Sequence, residues 1–237
     1  MKISVVLPTY NERESVLPVI EAIERSLEGR DHEVIVVDDN SPDGTWKIVA
    51  ALARGNPKIK LIHRTRERGL TSAFNRGVAE SRGEIISWLD CDLTLPPEKL
   101  PVMLKEIENG FDVVIGSRYI PGAGDARKER MAVLGSRIIN AFARLVLTRS
   151  ITDFTTGFVM SRKTVWDRIK FRGDYGEYCI DYLYRAWRSG YKIQEIPFWL
   201  TSRKFGETKT AGNLVNYLRR GRKYVSIIFT SRFHPRP

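Results

Sequence analysis

The sequence predicts an α/β domain built on a mostly parallel sheet, and three observations carry that prediction. Apolar segments of strand length alternate with amphipathic segments of helix length through the first half of the chain, and short polar breaks separate them. Each cluster of acidic and amide residues then follows directly on a strand-like segment. In an open sheet of this kind, ligands bind beyond the carboxyl ends of the strands.

Taken in order, Ile3 to Leu7, Glu33 to Val37, Lys58 to His63, Ile85 to Leu89 and Val113 to Gly116 read as strands. Arg13 to Leu27, Thr45 to Arg54, Thr71 to Ser81 and Pro97 to Asn109 read as the helices between them. Pro97 suits a first helical turn, and Asn109-Gly110 is a stop signal. The polar clusters Pro8 to Glu12, Asp38 to Ser41, Arg64 to Gly69 and the pair Asp90 and Asp92 are therefore expected along one sheet edge. After Gly116 the periodicity loosens. Val133 to Leu147 carries Leu134, Ile138, Phe142 and Leu145 at helical spacing, with Arg137 and Arg144 elsewhere on the turn, so it reads equally as a core-packing helix or an interfacial one. Leu214, Leu218, Val225 and Ile228 repeat the pattern. Residues 1–212 are expected to form the catalytic unit and 213–237 a basic amphipathic tail.

Composition narrows the class. The chain has 237 residues, 42% of them hydrophobic, enough for one domain with a substantial core. Cys91 and Cys179 are the only cysteines, without a C-x-x-C or His-rich spacing, which argues against a disulfide framework and a zinc site and suits a reducing, cytosolic compartment. No leader is expected ahead of the first strand. No apolar run approaches the ~20 residues that cross a bilayer. The net charge of +11 is uneven: from Asn213 onward there is no acid, while Arg219, Arg220, Arg222, Lys223, Arg232 and Arg236 are basic. A basic amphipathic segment binds an anionic membrane surface by apolar burial plus attraction. A nucleic-acid binding module is the competing class, but the chain has no aromatic stacking motif or recognition-helix pattern, so no nucleic-acid partner is expected.

Asp90 and Asp92 sit one residue apart. In a strand the period is two, so both point to one side, about 6.5 to 7 Å apart at Cα, which suits one hard divalent ion. Mg²⁺ or Mn²⁺ fits such oxygens and keeps positions open for phosphate.

Together, Val5 to Glu12, Val36 to Thr45 and Asp90-Cys91-Asp92 resemble the family 2 inverting glycosyltransferases with the GT-A fold. The resemblance tightens to the polyprenyl-phosphate branch through Gly69 to Ala73, Gly116 to Tyr119, Asp153 to Phe158 and Arg203 to Lys209, and it covers residues 2 to about 212. It implies a nucleoside diphosphate sugar as donor, with Pro8, Tyr10, Glu12, Val37, Asp39 and Cys91 at nucleotide-pocket positions. A carboxylate at Asp39 would accept from the ring N–H that uracil and guanine share. Asp38 is set outside the site as a helix-start acid or loop acceptor. The resemblance assigns the metal to Asp90 and Asp92; Thr94 stands where such enzymes often carry Gln, and a hydroxyl is a weaker ligand.

A lipid phosphate, with a second pKa of about 6, arrives already ionised and needs no catalytic base. It needs cations, and the resemblance offers Arg118, Arg203 and Lys209, with Arg130 as a further acceptor-phosphate contact. Asp153 is expected either to orient an acceptor-side cation or to cap a turn. Asp181 stands where relatives show Glu, a shorter arm that is expected to alter pocket depth.

The implied reaction is transfer of mannose from GDP-mannose to dolichyl or another polyprenyl phosphate, at the cytosolic face of a membrane. The alternatives are UDP-glucose as donor, or a saccharide hydroxyl as acceptor. Relatives implied by the resemblance carry transmembrane helices or use a small membrane-anchoring subunit. Here either the natural chain continues, or the tail and the Val133 to Leu147 helix dock peripherally.

Overall fold

The computed structural model describes residues 1–174, 176–203 and 214–233, with side chains in the last segment from residue 221. Lys209, expected at the phosphates, lies outside the described residues, as does Arg236.

The first half follows the alternation read from the sequence: β1 (Ile3–Thr9), α1 (Val16–Ser26), β2 (His32–Asp38), α2 (Thr45–Gly55), β3 (Ile59–His63), α3 (Leu70–Ala79), β4 (Ile85–Trp88) and α4 (Leu100–Glu108), which a short 3₁₀ turn at Pro97–Lys99 precedes. Then come β5 (Val113–Ser117), β6 (Gly124–Asp125), α5 (Arg130–Val146), β7 (Val159–Arg162), α6 (Lys163–Arg168), α7 (Tyr178–Arg188), β8 (Ile193–Pro197), β9 (Trp199–Leu200) and α8 (Leu214–Phe233). Seven strands form one sheet in the order β3-β2-β1-β4-β7-β5-β8, and β6 pairs with β9 in a second, two-stranded sheet.

β1, β2, β3 and β4 are mutually parallel, and β5 and β8 pair in parallel; β7 runs antiparallel between β4 and β5. Both faces of the sheet are covered, which explains why the strands are continuous apolar runs rather than alternating ones. Val6, Ile35, Val37, Ile86 and Trp88 face one core layer; Val5, Leu7, Val34, Val36 and Ile85 face the other. On the first side Gly77 of α3 lies so close that a Cβ there would sit 2.4 Å from Val6 Cγ1, so only glycine lets this helix settle on the sheet. The same layer holds a cluster of rings, with Trp88 edge-on to Trp166, Phe171 and Tyr182.

Among the described residues, three non-glycine residues have positive φ: Asn11 at 54°, Asn40 at 57° and Leu93 at 58°. All three lie just past the carboxyl ends of β1, β2 and β4. Left-handed backbone is unfavourable for Leu in particular, and such strain concentrates where a loop must present a group in one orientation.

Within the segment expected to be a basic amphipathic tail, Leu214–Phe233 form α8, which packs against α5 and α7. Ile228 is fully buried, and Ser231 Oγ donates to Asp181 Oδ1 at 3.0 Å. Asp181 also accepts from Arg185 Nε at 2.8 Å. The carboxylate expected to set pocket depth instead ties two helices together, because its short arm ends inside the α7–α8 seam.

Candidate functional site

The parallel arrangement puts the loops after β1, β2, β3 and β4 along one edge, as the sequence led us to expect. The strand-period argument for Asp90 and Asp92 fails, however. β4 ends at Trp88, and both acids lie beyond it in a run of turns with Leu93 left-handed. That turn brings the Thr94 N–H and Oγ1 onto Asp92 Oδ1, at 3.0 and 2.7 Å, so the Thr94 hydroxyl orients Asp92. Asp90 lies beside Gly157, where a Cβ would come 3.5 Å from Asp90 Oδ2.

Glu12 completes the anionic cluster. Its Oε2 is 3.0 Å from Ser15 Oγ, which also lies 2.6 Å from the carbonyl of Cys91 and so stitches the β1 loop to the β4 loop. Burial pushes the Cys91 thiol well above its ordinary value, and the negative charge of Glu12, Asp92 and Asp90 adds to the rise. Arg203 reaches into this cluster from beyond β9. Its Nε donates to Asp92 Oδ2 at 2.8 Å and its Nη2 to Glu12 Oε1 at 2.8 Å. Burial disfavours the charged guanidinium, yet the two carboxylates outweigh it and hold Arg203 above its ordinary value. Residues far apart in sequence thus meet at one point.

The β2 edge is arranged by a residue that sequence reasoning passed over. Arg64, at the end of β3, donates through Nε and Nη2 to Asp39 Oδ1, through Nη1 to Ser72 Oγ and through Nη2 to the Gly69 carbonyl. Asp39 Oδ2 accepts from the Gly69 N–H at 2.8 Å. Among Arg64, Arg66 and Arg68, no local signal singles out the buried one; only the strand end at His63 hints at it. Asp38 accepts from Ser41 N–H, Ser41 Oγ and Thr9 Oγ1, a loop-holding role. Tyr10 is exposed, with the Arg68 guanidinium 5.7 Å over its ring. Pro8 is half-buried in β1. Val37 is fully buried under α3, so its side chain contributes to the core and only its backbone faces the loop edge. The Cys91 side chain likewise belongs to a core layer.

Arg118 follows β5 and turns inward. Asp153 takes Nε at 2.7 Å and Nη2 at 2.8 Å, Thr155 Oγ1 takes Nη2 at 2.6 Å, and Asp125 lies 3.4 Å from Nη1. Burial opposes the charge of Arg118, but Asp153 more than compensates and keeps it above its ordinary value. Asp153 fills both expected roles: it holds the Arg118 guanidinium, and its Oδ1 accepts from the Thr155 N–H at 3.2 Å, a turn contact. Asp125 is shared with Arg127, whose Nη2 also reaches Ser136 Oγ on α5 at 3.2 Å. Arg130 is exposed at the first turn of α5.

Asp92, Glu12 and Asp90 supply only hard carboxylate oxygens, and the cluster already draws in a guanidinium, so its chemistry fits Mg²⁺ or Mn²⁺. No group of three or more His, Cys, Asp and Glu side chains is placed to hold a metal ion among the described residues, so at most two of these carboxylates would meet one cation. A cation here would leave positions for ligand oxygens.

A sheet of this order, with its one antiparallel strand and an acid-rich loop edge, is the GT-A glycosyltransferase fold. Glucosyl-3-phosphoglycerate synthase from Mycobacterium tuberculosis, solved with Mn²⁺, UDP and phosphoglyceric acid, superimposes with a TM-score of 0.73 at 21% identity, covering 99% of this chain and 79% of that one. The chain belongs to glycosyl transferase family 2, whose sequence profile matches residues 4–169. It is 37% identical to a dolichol-phosphate mannosyltransferase of Pyrococcus furiosus over 92% of its own length, and spans 62% of the length of that relative. It is 34% identical to a polyprenol monophosphomannose synthase of Mycolicibacterium smegmatis, covering 88% of this chain and 81% of that one.

Proposed function

We propose that this protein transfers mannose from GDP-mannose to dolichyl or another polyprenyl phosphate with inversion at the anomeric carbon. The observation that carries this reading is the meeting of Glu12, Asp92 and Arg203 at the sheet edge, in a chain whose relatives are named as polyprenyl-phosphate mannosyltransferases. The carboxylates suit a cation that chelates a diphosphate. Arginine suits phosphate, because its planar fork makes two parallel hydrogen bonds.

Asp39, held by Arg64, would accept from a base N–H, and Tyr10, Pro8, Val37 and Cys91 would complete the nucleotide pocket. Mg²⁺ or Mn²⁺, when bound at Asp92 and Asp90, neutralises charge that grows on the departing diphosphate. Thr94 fixes the orientation of the Asp92 carboxylate. Arg203 and Lys209 balance the charge of two anionic reactants, and Arg130 lies on the acceptor side. Arg118, already occupied by Asp153 and Thr155, keeps N–H capacity only on Nη1 for a phosphate oxygen and otherwise shapes the acceptor side.

No helix among the described residues is long and apolar enough to cross a membrane. Contact with the lipid acceptor would fall to α5 and α8. Leu134, Ile138 and Leu145 are 51%, 58% and 74% exposed, whereas Phe142 turns inward onto Phe229 of α8. The stripe with two open readings is thus largely not core. With Arg137 and Arg144 beside it, this face suits peripheral attachment to the cytosolic leaflet, with or without a small anchoring subunit.

Incubating the purified chain with GDP-mannose, Mg²⁺ and dolichyl phosphate should yield a mannosylated, solvent-extractable lipid. UDP-glucose in place of GDP-mannose should give none. Product only with UDP-glucose, or only on a saccharide hydroxyl, would replace this reading with one of its alternatives.

A further inference from the structure

Glu12 and Asp92 hold the same guanidinium from two sides, each at 2.8 Å. Both residues are more than nine-tenths buried, at 7% and 6% exposure, so without a counter-charge their repulsion would be weakly screened. Arg203 offsets part of that charge, so the site already holds an internal cation before any divalent ion enters it.

Asp92 also has little accepting capacity left. Its Oδ1 takes the Thr94 N–H and hydroxyl, and its Oδ2 takes Arg203 Nε. A free divalent ion seeking Asp92 meets a positive charge already seated there and must displace it. The guanidinium would then leave one buried partner with nothing in exchange. A nucleoside diphosphate changes that balance, because its phosphate oxygens offer Arg203 a new anionic partner as Asp92 is given up.

We propose that Arg203 is an internal cation that keeps Asp92 closed to free divalent metal and yields it only to metal arriving with a nucleoside diphosphate. The inference rests on the reading of Asp92 as a metal ligand. It makes metal and nucleotide binding strongly coupled through one side chain, and it gives Arg203 a role before any acceptor is present.

The test is calorimetric titration of Mn²⁺ alone into the metal-stripped full chain. Arg203→Gln removes the charge and should bind Mn²⁺ at least about 10-fold more tightly than the unaltered protein, a coupling within the usual range between linked sites. Arg203→Lys keeps the charge and should stay near the unaltered value. Arg203→Met carries the same test should the Gln variant fail to fold. Equal or weaker Mn²⁺ binding in the uncharged variants, while Asp92→Asn abolishes it, overturns the inference and leaves the metal assignment standing. Mn²⁺ binding that survives Asp92→Asn removes the metal assignment beneath it.

Discussion

Two of the arginines expected at the phosphates, Arg203 and Arg118, sit in contrasting surroundings. Arg203 is half-buried and spans two loops of the nucleotide edge, Glu12 on one and Asp92 on the other. Arg118 is buried at 5% exposure and locked to Asp153, which has none, with Thr155 and Asp125 filling further positions. One cation bridges two loops from a half-buried position; the other is built into the frame. Fold alone thus separates a movable charge from a fixed one, although both residues stand in motifs of the same family.

The largest effect should come from the fixed charge. Arg118→Met strands Asp153 without a partner and should lower unfolding stability by about 3–5 kcal/mol, whereas Arg203→Gln, whose amide still donates a hydrogen bond to one of the two carboxylates, should cost less, about 1–3 kcal/mol. Chemical denaturation of both variants compares them directly, and equal losses would erase the contrast.

The tie between α7 and α8 comes next. Asp181→Ala removes the acceptor of both Arg185 and Ser231 inside the seam and should destabilise by about 1–3 kcal/mol, with hydrogen exchange rising first in α8. Uniform exchange across the sheet would show that α8 is not held there.

A pH series sharpens the fixed side. Burial works to raise the Asp125 carboxyl, but Arg127 and then Arg118 outweigh it and hold it below its ordinary value. A lowered folded pKa adds stability that is present above the unfolded value of about 3.9 and is lost as pH falls through the folded value. The stability gap between the natural chain and Asp125→Asn should therefore be constant from pH 7 to about 5 and narrow below about 4. A gap that widens on acidification would contradict the assignment.

The smallest effect on stability falls on the exposed face of α5. Leu134→Glu with Ile138→Glu should change stability by less than about 0.5 kcal/mol while reducing flotation with anionic liposomes. Unchanged flotation would remove this face from the account of attachment.

Much of the first half was legible because strand and helix periods differ and each polar cluster closes a strand. Boundaries moved by a few residues, as at α1, which starts at Val16 rather than Arg13. The second half was less readable for physical reasons. β7 has four residues and runs antiparallel inside a parallel sheet, a placement that no local pattern encodes. α7 is buried nearly all round, Tyr182, Tyr184 and Arg185 included, so it lacks the one-sided stripe of a surface helix. At the site, Asp92 and Glu12 were readable as members of motifs, but Arg64 was not, since only burial sets it apart from Arg66 and Arg68. The Asp90 and Asp92 pair was read with the correct location and the wrong geometry, because a turn replaced the strand on which the period-two argument depended.

The central claim is that Asp92 admits a cation that carries a nucleoside diphosphate. Calorimetric titration of GDP into the intact chain with Mn²⁺ present, repeated with Asp92→Ala, tests it most directly. The account predicts that the variant binds GDP roughly 100-fold more weakly, about 2.7 kcal/mol, and that EDTA weakens the unaltered protein to a similar degree. GDP affinity that is unchanged in the variant, and indifferent to EDTA, would contradict it.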